Sequence, residues 1–284
     1  MIKKPLVSII LFTYNAEKYI EDNLKSMHAQ KFEDYEILMV DKFSTDRTQE
    51  IAKKFPKVKV LNAPIERCTQ VNFGVKRAAG KYVFITGVDI LYHPDYLSKA
   101  VEKCEKEDFD AIYTSVVTKN DSFFGKCKAL ERLCYVGDDA HESARFVKRD
   151  VFLVLNGYDE NLVAGEDYDF QRRLNKGGYK TGRVDVIAEY HLGEEESIGH
   201  IVRRSYYYGK TFYNYFKKNK GSESVMQMSP IRGSYFKHWK IWLKDPVHTL
   251  GFVFYKFLQY FFAAFGLLYA ITTNYSISKN AKKG

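Results

Sequence analysis

Cysteine is scarce in this sequence, and the spacing of the four cysteines excludes its commonest structural uses. They stand at positions 68, 104, 127 and 134 of 284 residues, and no two form a CxxC pair. A zinc ribbon or a dense disulfide framework requires closer pairs or a higher cysteine content. We therefore expect reduced thiols, as in a cytosolic compartment.

Glycine-rich phosphate-binding motifs are missing as well. Neither GxGxxG nor GxxxxGK[ST] occurs, so the sequence predicts neither a dinucleotide-binding fold nor a P-loop. Internal repeats are also absent. What is present is 45% hydrophobic and 28% charged residues, a balance typical of a globular protein with a sizeable core.

Acidic residues are nearly missing from the last third of the chain. Residues 197–284 hold 14 Lys and Arg but only two acids, Glu223 and Asp245, a net charge of +12 against −3 for residues 1–196. Aromatic residues accompany these cations, most densely at 203–220. A basic and aromatic segment fits an anionic membrane surface better than a nucleic-acid groove. We therefore predict a membrane-surface partner and no nucleic-acid partner.

An apolar run at 247–273 strengthens that interpretation. Lys256 is its only full charge. At about 1.5 Å per residue, a helix of this length reaches across a hydrocarbon core of about 30 Å. We expect the run either to span the membrane or to lie on it. The alternative is a pair of apolar helices packed on the globular part or on a second copy of the chain.

The first 110 residues alternate short apolar runs with polar, helix-patterned segments. The runs at 6–12, 36–40, 58–61 and 82–86 predict strands, and the segments between them predict helices. Continuous apolar strands separated by helices indicate an α/β fold, a Rossmann-like, mostly parallel sheet with helices on both faces. We predict one domain over residues 1–196 and a helical, basic and aromatic extension over residues 197–284.

Polar residues follow the predicted strands, where open parallel sheets bind their ligands. Thr13, Tyr14 and Asn15 follow the first strand, and Asp41 ends the second. A carboxylate at that place can accept hydrogen bonds from a base or a ribose. Asp89 follows the fourth strand, where a carboxylate can hold a divalent metal against a diphosphate. Turn formation and helix capping are the alternative for residues of these types.

Further candidates lie beyond residue 160. Glu166 and Asp167 stand at a predicted helix start behind Gly165. The helix dipole favours carboxylates there, but one of them could instead act as a general base for an acceptor hydroxyl. His191 follows a strand-like run and either ligates a metal or packs as a neutral core histidine.

Together these residues resemble the family 2 glycosyltransferases of GT-A fold. The resemblance covers about residues 5–195 and rests on an ordered series of motifs: VSIILFTYN (7–15), VDKFSTDRT (40–48), AGKYVFITGVD (79–89), GED (165–167) and QRRL (171–174). It implies an inverting transfer of a sugar from a nucleotide-diphosphate donor, assisted by Mg²⁺ or Mn²⁺. The donor would be UDP-, GDP- or dTDP-linked.

The resemblance also assigns roles for binding the donor. The residues that would line the nucleotide pocket are Thr13, Tyr14, Asn15 and Glu17. Asp41 would hold the base, and Arg67 would approach the ribose or the diphosphate. Asp89 falls on the last acid of the family's DxD metal motif, and His191 falls where some members place a metal-ligating histidine.

For catalysis, the resemblance implies that Asp167 is the base and that Glu166 orients it. Arg172 or Arg173 would steady the acidic loop or the leaving diphosphate. Two departures from the family pattern matter. The DxD motif reads Gly87-Val88-Asp89, which removes one acidic contact, and QRRL lacks the tryptophan of processive synthases, which argues against a polymerase.

The basic and aromatic extension would hold the catalytic cleft near the bilayer. We therefore expect a lipid-linked or glycan acceptor, and a protein at the cell membrane with its catalytic domain in the cytoplasm. The alternative is a catalytically degenerate protein that binds a nucleotide sugar or a membrane partner. Gly87 supports that alternative, whereas the retention of Asp89, Glu166, Asp167 and His191 argues against it.

Overall fold

The computed structural model describes residues 4–63, 66–162, 164–185, 189–193, 197–219 and 229–275. The chain forms two compact units that are interleaved along the sequence. The first unit comprises residues 1–116, 143–160 and 170–192, and the second comprises residues 117–142, 161–169 and 193–284. The domain boundary expected between residues 196 and 197 stays a prediction.

Strands and helices alternate through the first half of the chain, as its apolar pattern predicts. The strands are β1 (Val7–Thr13), β2 (Tyr35–Asp41), β3 (Val58–Asn62), β4 (Tyr82–Gly87), β5 (Ile90–Tyr92), β6 (Ala111–Thr114), β7 (Val116–Thr118), β8 (Ser143–Lys148), β9 (Thr181–Arg183) and β10 (Glu189–His191). The helices are α1 (Glu17–His28), α2 (Thr48–Ala52), α3 (Arg67–Arg77), α4 (Tyr96–Glu107), α5 (Phe123–Tyr135), α6 (Arg149–Val154), α7 (Glu166–Lys176), α8 (Ile198–Lys218), α9 (Gly233–Lys237), α10 (Trp239–Lys244) and α11 (Pro246–Thr273).

A seven-stranded sheet organises the first unit, in the order β3-β2-β1-β4-β8-β6-β9. Strand β8 runs antiparallel to both of its neighbours, β4 and β6, and the other pairs are parallel. The register pairs Thr13 with Asp41 and Phe12 with Gly87. The carboxyl ends of β1, β2 and β4 therefore meet at one edge, where the predicted nucleotide residues follow them. The expected α/β fold is confirmed.

Both faces of the sheet are covered, which is why its central strands read as continuous apolar runs. On one face, Ile9 packs in a cluster with side chains of α1 and α4, such as Leu24 and Leu97. On the other face, Ile10 packs with side chains of α3 and α6, such as Val71 and Phe152. Neighbouring residues of a strand point to opposite faces, so β1 contributes to two cores at once.

The second unit is helical, and glycines allow its two longest helices to approach closely. A Cβ atom at Gly209 of α8 would clash with the backbone of Ala263 in α11, and one at Gly266 of α11 would clash with the backbone of Tyr206 in α8. A Cβ atom at Gly251 of α11 would clash with the side chains of Phe123 and Cys127 in α5. Helix α11 therefore packs on both α8 and α5.

Helix α11 also carries the apolar run that the sequence singles out. Among the described helices, it is the one that is long and apolar enough to cross a membrane, and 28% of its most apolar window is buried inside the protein. One side of α11 is thus a packed face, and the rest is open.

Candidate active site

Asp41 is the centre of a hydrogen-bond network at the end of β2. Its side chain is fully buried. Oδ1 accepts hydrogen bonds from Thr13 Oγ1 at 2.7 Å and from Ser44 Oγ at 2.6 Å, and Oδ2 accepts from Ser44 N and Gln49 Nε2, both at 2.7 Å. A carboxylate has about four lone-pair sites. Asp41 therefore joins β1, β2 and α2 into one edge, and contact with a base would require it to exchange one of these partners.

Asn15 and Glu17 join the same two loops. Asn15 has a φ of 45°, a left-handed conformation that asparagine tolerates better than most residues. Its backbone N–H donates to Ser44 Oγ at 2.8 Å, and its Oδ1 accepts from Thr45 N at 2.9 Å. Glu17 Oε2 accepts from Arg47 N at 3.1 Å. These side chains hold the loops after β1 and β2 at a fixed separation.

Tyr14 is the exposed member of the group. Its side chain is 57% exposed, and Lys42 Nζ lies 5.5 Å from the centre of its ring. An exposed aromatic ring beside a cation can stack on a base while the cation faces a phosphate or ribose. The nucleotide-binding role of Tyr14 stays a prediction.

Asp89 lies in the turn between β4 and β5. A Cβ atom at Gly87 would stand 3.0 Å from Asp89 Oδ1 and 3.4 Å from the Phe12 ring, so the missing side chain of Gly87 makes room for this carboxylate. The guanidinium carbon of Arg67 lies 6.0 Å from the centre of the Phe12 ring. Arg67 and the Gly87–Asp89 turn, both expected near the diphosphate, thus lie close to the Phe12 ring.

Asn23 holds this turn through two hydrogen bonds, although our sequence analysis did not single it out. It is fully buried in α1, and its Nδ2 donates to the carbonyl oxygens of Ile90 at 2.7 Å and Gly87 at 3.3 Å. The two carbonyls flank Asp89. A buried polar residue inside an otherwise apolar helix face was the available signal.

The backbone brings β10 beside the Asp89 turn. His191 pairs with Ile90, and Leu192 N donates to the carbonyl oxygen of Asp89 at 2.9 Å. A carboxylate and an imidazole are both suitable ligands for a transition metal such as Mn²⁺. The described residues contain no cluster of three or more His, Cys, Asp or Glu that could hold a metal. The side chain of His191 lies outside the part of the chain that is described, so its role as a metal ligand stays a prediction. Asp89 alone would need further ligands, such as those of the donor diphosphate, to hold a metal.

Glu166 and Asp167 occupy the first turn of α7, as predicted. Gly165 precedes them with a φ of +81°, and a Cβ there would stand 2.9 Å from the Tyr215 ring. Glu166 is buried, whereas Asp167 is partly exposed. The two carboxylates thus lie in the first turn of α7. The residue before this turn, Gly165, packs against Tyr215 of α8 and has a conformation that favours glycine.

A third acid of α7, Asp169, anchors this turn. It is fully buried, and Lys218 Nζ lies 3.0 Å from its Oδ1. Asn219 Nδ2 donates to the same oxygen at 3.3 Å. Asp169 is therefore a positioning residue for the acidic turn. Sequence reasoning missed it because both partners lie about fifty positions away.

Arg173, considered for the diphosphate, has a structural role within the first unit. Its Nη1 and Nη2 donate to the carbonyl oxygens of Leu155 at 2.5 Å and Gly157 at 2.7 Å. It thereby closes the end of α6. The expected meeting of Asp89, in the first unit, with Asp167, in the second, stays a prediction.

The mostly parallel sheet, with polar residues gathered at its carboxyl edge and an acidic helix start, defines an α/β enzyme of GT-A type. Comparison with known proteins agrees. The family model described as glycosyl transferase family 2 matches residues 8–153, more than half of the chain. The chain therefore belongs to glycosyltransferase family 2 and is a glycosyltransferase.

Individual relatives cover most of the chain. An uncharacterized glycosyltransferase of Methanocaldococcus jannaschii is 26% identical over 240 residues, 76% of this chain and 81% of that protein. A dolichyl N-acetyl-alpha-D-glucosaminyl phosphate 3-beta-D-2,3-diacetamido-2,3-dideoxy-beta-D-glucuronosyltransferase of Methanococcus voltae is 24% identical over 238 residues, 72% of this chain and 71% of that protein. A mannosyltransferase of Pyrobaculum calidifontis, solved with GDP-Man and Mn²⁺, shares the fold with a TM-score of 0.57 and 19% identity, over 95% of this chain and 76% of that one.

Proposed function

We propose that the protein is an inverting glycosyltransferase that uses a nucleotide-diphosphate sugar and acts on a lipid-linked acceptor at the cell membrane, with its catalytic domain in the cytoplasm. The acidic turn of α7 carries this proposal. A single displacement forms a bond from the acceptor oxygen to the anomeric carbon and breaks the bond from that carbon to the diphosphate. The acceptor proton passes to Asp167, and the nucleoside diphosphate leaves with the bonding electrons.

The edge of the first unit supports the donor half of the proposal. Tyr14 offers a ring for the base, the network around Asp41 fixes the loops on either side, and Arg67 offers a cation for the diphosphate. Asp89 and His191 would hold Mg²⁺ or Mn²⁺, which offsets the charge that develops on the departing diphosphate. The Pyrobaculum mannosyltransferase, which shares the fold, was solved with a nucleotide sugar and Mn²⁺.

The acceptor half rests on α11. Its open side presents large apolar side chains at intervals of three or four residues, which places them on one helical face. They are Val247, Leu250, Phe254, Phe257, Phe261, Phe265 and Leu268, and each is at least 46% exposed. We call these seven residues the apolar stripe. A stripe of this size, with Lys237, Lys240 and Lys244 just before it, fits an anionic membrane surface.

The packing of α11 favours a helix that lies on the membrane over one that crosses it. The buried side of its first half contacts α5, where Lys256 Nζ lies 2.5 Å from Oε1 of the buried Glu131. If α11 crossed the bilayer, α5 and its charges would have to enter the hydrocarbon, at a cost of several kcal/mol per charge. The relative from Methanococcus voltae, whose name specifies a dolichyl phosphate acceptor, agrees with a lipid-linked substrate.

One experiment tests the donor and the chemistry together. UDP-, GDP- and dTDP-sugars are screened for protection against thermal unfolding, with and without Mn²⁺, and the protecting donor is then incubated with a membrane lipid extract. We expect one base to protect, and nucleoside diphosphate to be released only when acceptor is present. Asp167→Asn should abolish release and leave protection nearly unchanged. Full turnover by that variant would refute the role of Asp167, and protection without release in the wild type would favour the degenerate binding protein.

A second experiment tests the membrane surface. Sedimentation with vesicles containing anionic phospholipid should pull down the wild type and leave the double variant Phe257→Lys/Phe265→Lys in solution. Val154→Lys is the matched control, because Val154 is 69% exposed but lies on α6 in the first unit. Equal sedimentation of all three proteins would contradict the role of the apolar stripe.

A further inference from the structure

The second unit contains a cavity of about 350 Å³ that the family resemblance does not account for. It lies between α8 and α11, and most of its wall is aromatic or aliphatic, including Tyr208, Phe212 and Ala264. Two cations, Arg232 and Lys256, also line it, together with Gln259. None of the described lining residues is acidic. A volume of this size is far more than one water molecule needs and falls within the range of small-molecule pockets.

The two cations that line this cavity belong to a charge cluster around the buried Glu131. Glu131 is 1% exposed, and it pairs with both Lys256 and Lys128, at 2.5 and 2.8 Å. Arg232 donates from Nη1 to Tyr135 Oη, and Tyr135 in turn donates to Glu131. Two of the three cations around Glu131, Arg232 and Lys256, thus reach the cavity wall.

The pKa of Lys256 reflects its burial beside other cations. Burial lowers its pKa to about 7; Glu131 opposes this shift, whereas Lys128 and Arg232 add to it. The pKa of Glu131 lies well below its ordinary value although burial opposes ionisation, because Lys128, Lys256 and Arg232 favour the carboxylate. An anion bound in the cavity would oppose the effect of burial and favour the charged form of Lys256.

The cavity adjoins both the apolar stripe and the acidic turn. Ala264 and Leu267 line it from α11, and their chain neighbours Phe265 and Leu268 belong to the stripe. At its other side, Tyr168 lines the cavity and directly follows Asp167 in α7. Burial and the Asp167 carboxylate raise the pKa of Tyr168, whereas Arg232 lowers it, so this phenol senses both groups.

We propose that this cavity binds the phosphate group of the lipid-linked acceptor, with Arg232 and Lys256 on the phosphate and the apolar chain leaving along α11 toward the membrane. A guanidinium can bind phosphate through two parallel hydrogen bonds, and an ammonium adds a point charge. The proposal rests on the proposed function and specifies its acceptor. Since a phosphate oxygen is already an anion at neutral pH, a base at Asp167 implies that the reacting atom is a hydroxyl of a group attached to that phosphate.

Direct binding measurements test this site without relying on turnover. The probes are farnesyl phosphate, farnesol and inorganic phosphate, each titrated by calorimetry into the full chain in detergent. Farnesyl phosphate should bind more tightly than either of the other two. Arg232→Gln should weaken its binding by about tenfold to a hundredfold, the range expected for charged hydrogen bonds, and should leave farnesol binding unchanged. Arg203→Gln, an exposed arginine of α8 in the same unit, is the matched control.

A second variant guards against misfolding of Arg232→Gln. Ala264→Trp adds bulk to the cavity wall at an exposed position without changing charge, and it should also weaken farnesyl phosphate binding. Equal affinity of wild type and both variants for farnesyl phosphate would overturn the proposal. If the wild type bound farnesyl phosphate and farnesol equally tightly, the cavity would not recognise the phosphate. If it bound inorganic phosphate as tightly as farnesyl phosphate, the cavity would not recognise the lipid chain.

Proton uptake supplies an independent readout. Because an anion beside Lys256 raises its pKa from about 7, binding of farnesyl phosphate at pH 7 should take up a fraction of a proton. The binding enthalpy should then differ between Tris and PIPES buffers, and Lys256→Met should remove that difference. Protection against thermal unfolding by nucleotide sugars is measured in parallel. Failure of donor binding would refute the proposed function, whereas donor binding without farnesyl phosphate binding would refute this site alone.

Discussion

Removing the buried carboxylate Glu131 should destabilise the helical unit more than any change on its surface. Its two oxygens accept the ion pairs from Lys128 and Lys256, and the Tyr235 hydroxyl donates to Oε1 at 2.9 Å. Glu131→Gln keeps the shape and removes the charge, which leaves three cations without their shared carboxylate. Breaking a buried ion pair on one side typically costs about 3–5 kcal/mol, a third or more of the stability of many domains.

The two tryptophans allow the loss of stability to be measured in the second, helical unit, where Glu131 lies. Both lie in α10, and Trp242 stacks on Phe252 with ring centres 4.8 Å apart and contacts Tyr235, which bonds Glu131. Urea unfolding followed by tryptophan fluorescence therefore reports on the surroundings of the cluster. Glu131→Gln should lower the free energy of unfolding by about 3–5 kcal/mol at pH 7.

Lys256→Met is the matched control, because it leaves Glu131 with Lys128 and removes one of the competing cations. We expect it to cost clearly less than Glu131→Gln. In the double variant, the loss should fall short of the sum of the single losses by about 0.5–3 kcal/mol, the coupling expected for residues in one network. A loss below about 1 kcal/mol for Glu131→Gln, or additive losses, would refute the assignment of a buried charge cluster.

Four further predictions test other parts of the molecule. Asp89→Ala should weaken Mn²⁺-dependent protection by the donor sugar, and an unchanged Mn²⁺ titration would contradict its metal role. Asn23→Leu should cost about 1–3 kcal/mol, measured by urea unfolding, because it removes the 2.7 Å donor to the Ile90 carbonyl and one of the donors to the Gly87 carbonyl. Gly266→Val should cost about 1–3 kcal/mol or more by forcing α11 away from α8, whereas Gly199→Val, where nothing lies near the added Cβ, should cost less. Between pH 7 and 9 the free energy of unfolding should rise, because the unfolded chain holds the Lys256 proton more tightly than the folded chain does; Lys256→Met should remove this slope.

The sheet could be predicted from the sequence because its signal is local. Strands β1, β2 and β4 are buried along almost their whole length, so each reads as an apolar run that needs no knowledge of its neighbours. The helix after β2 shows the limit of that approach. We expected it over 46–55, but α2 covers Thr48–Ala52 because Asp46 remains outside and accepts hydrogen bonds from Thr48 N and Oγ1.

The candidate site could be predicted as a set of positions but not as a set of contacts. Asp41 was identified from its place at the end of a strand, yet two of its three partners, Thr13 and Gln49, belong to other elements. Sequence order gives no distance between such residues. For the same reason, the sequence analysis missed Asn23 and Asp169. It did identify the turns that they hold, one containing Asp89 and the other containing Glu166 and Asp167.

Lys256 shows how a single residue changes meaning once its partner is known. In the sequence it interrupts an apolar run and only weakens the case for a spanning helix. In the structure it meets Glu131 of α5, from a distant part of the chain, and both are buried. A helix that only inserted into lipid would gain nothing from that charge, since an apolar residue would serve better. Under the proposed acceptor site, this charge stays at the wall of a cavity, beside Arg232 and next to the apolar stripe, because it binds an anionic group on a membrane lipid.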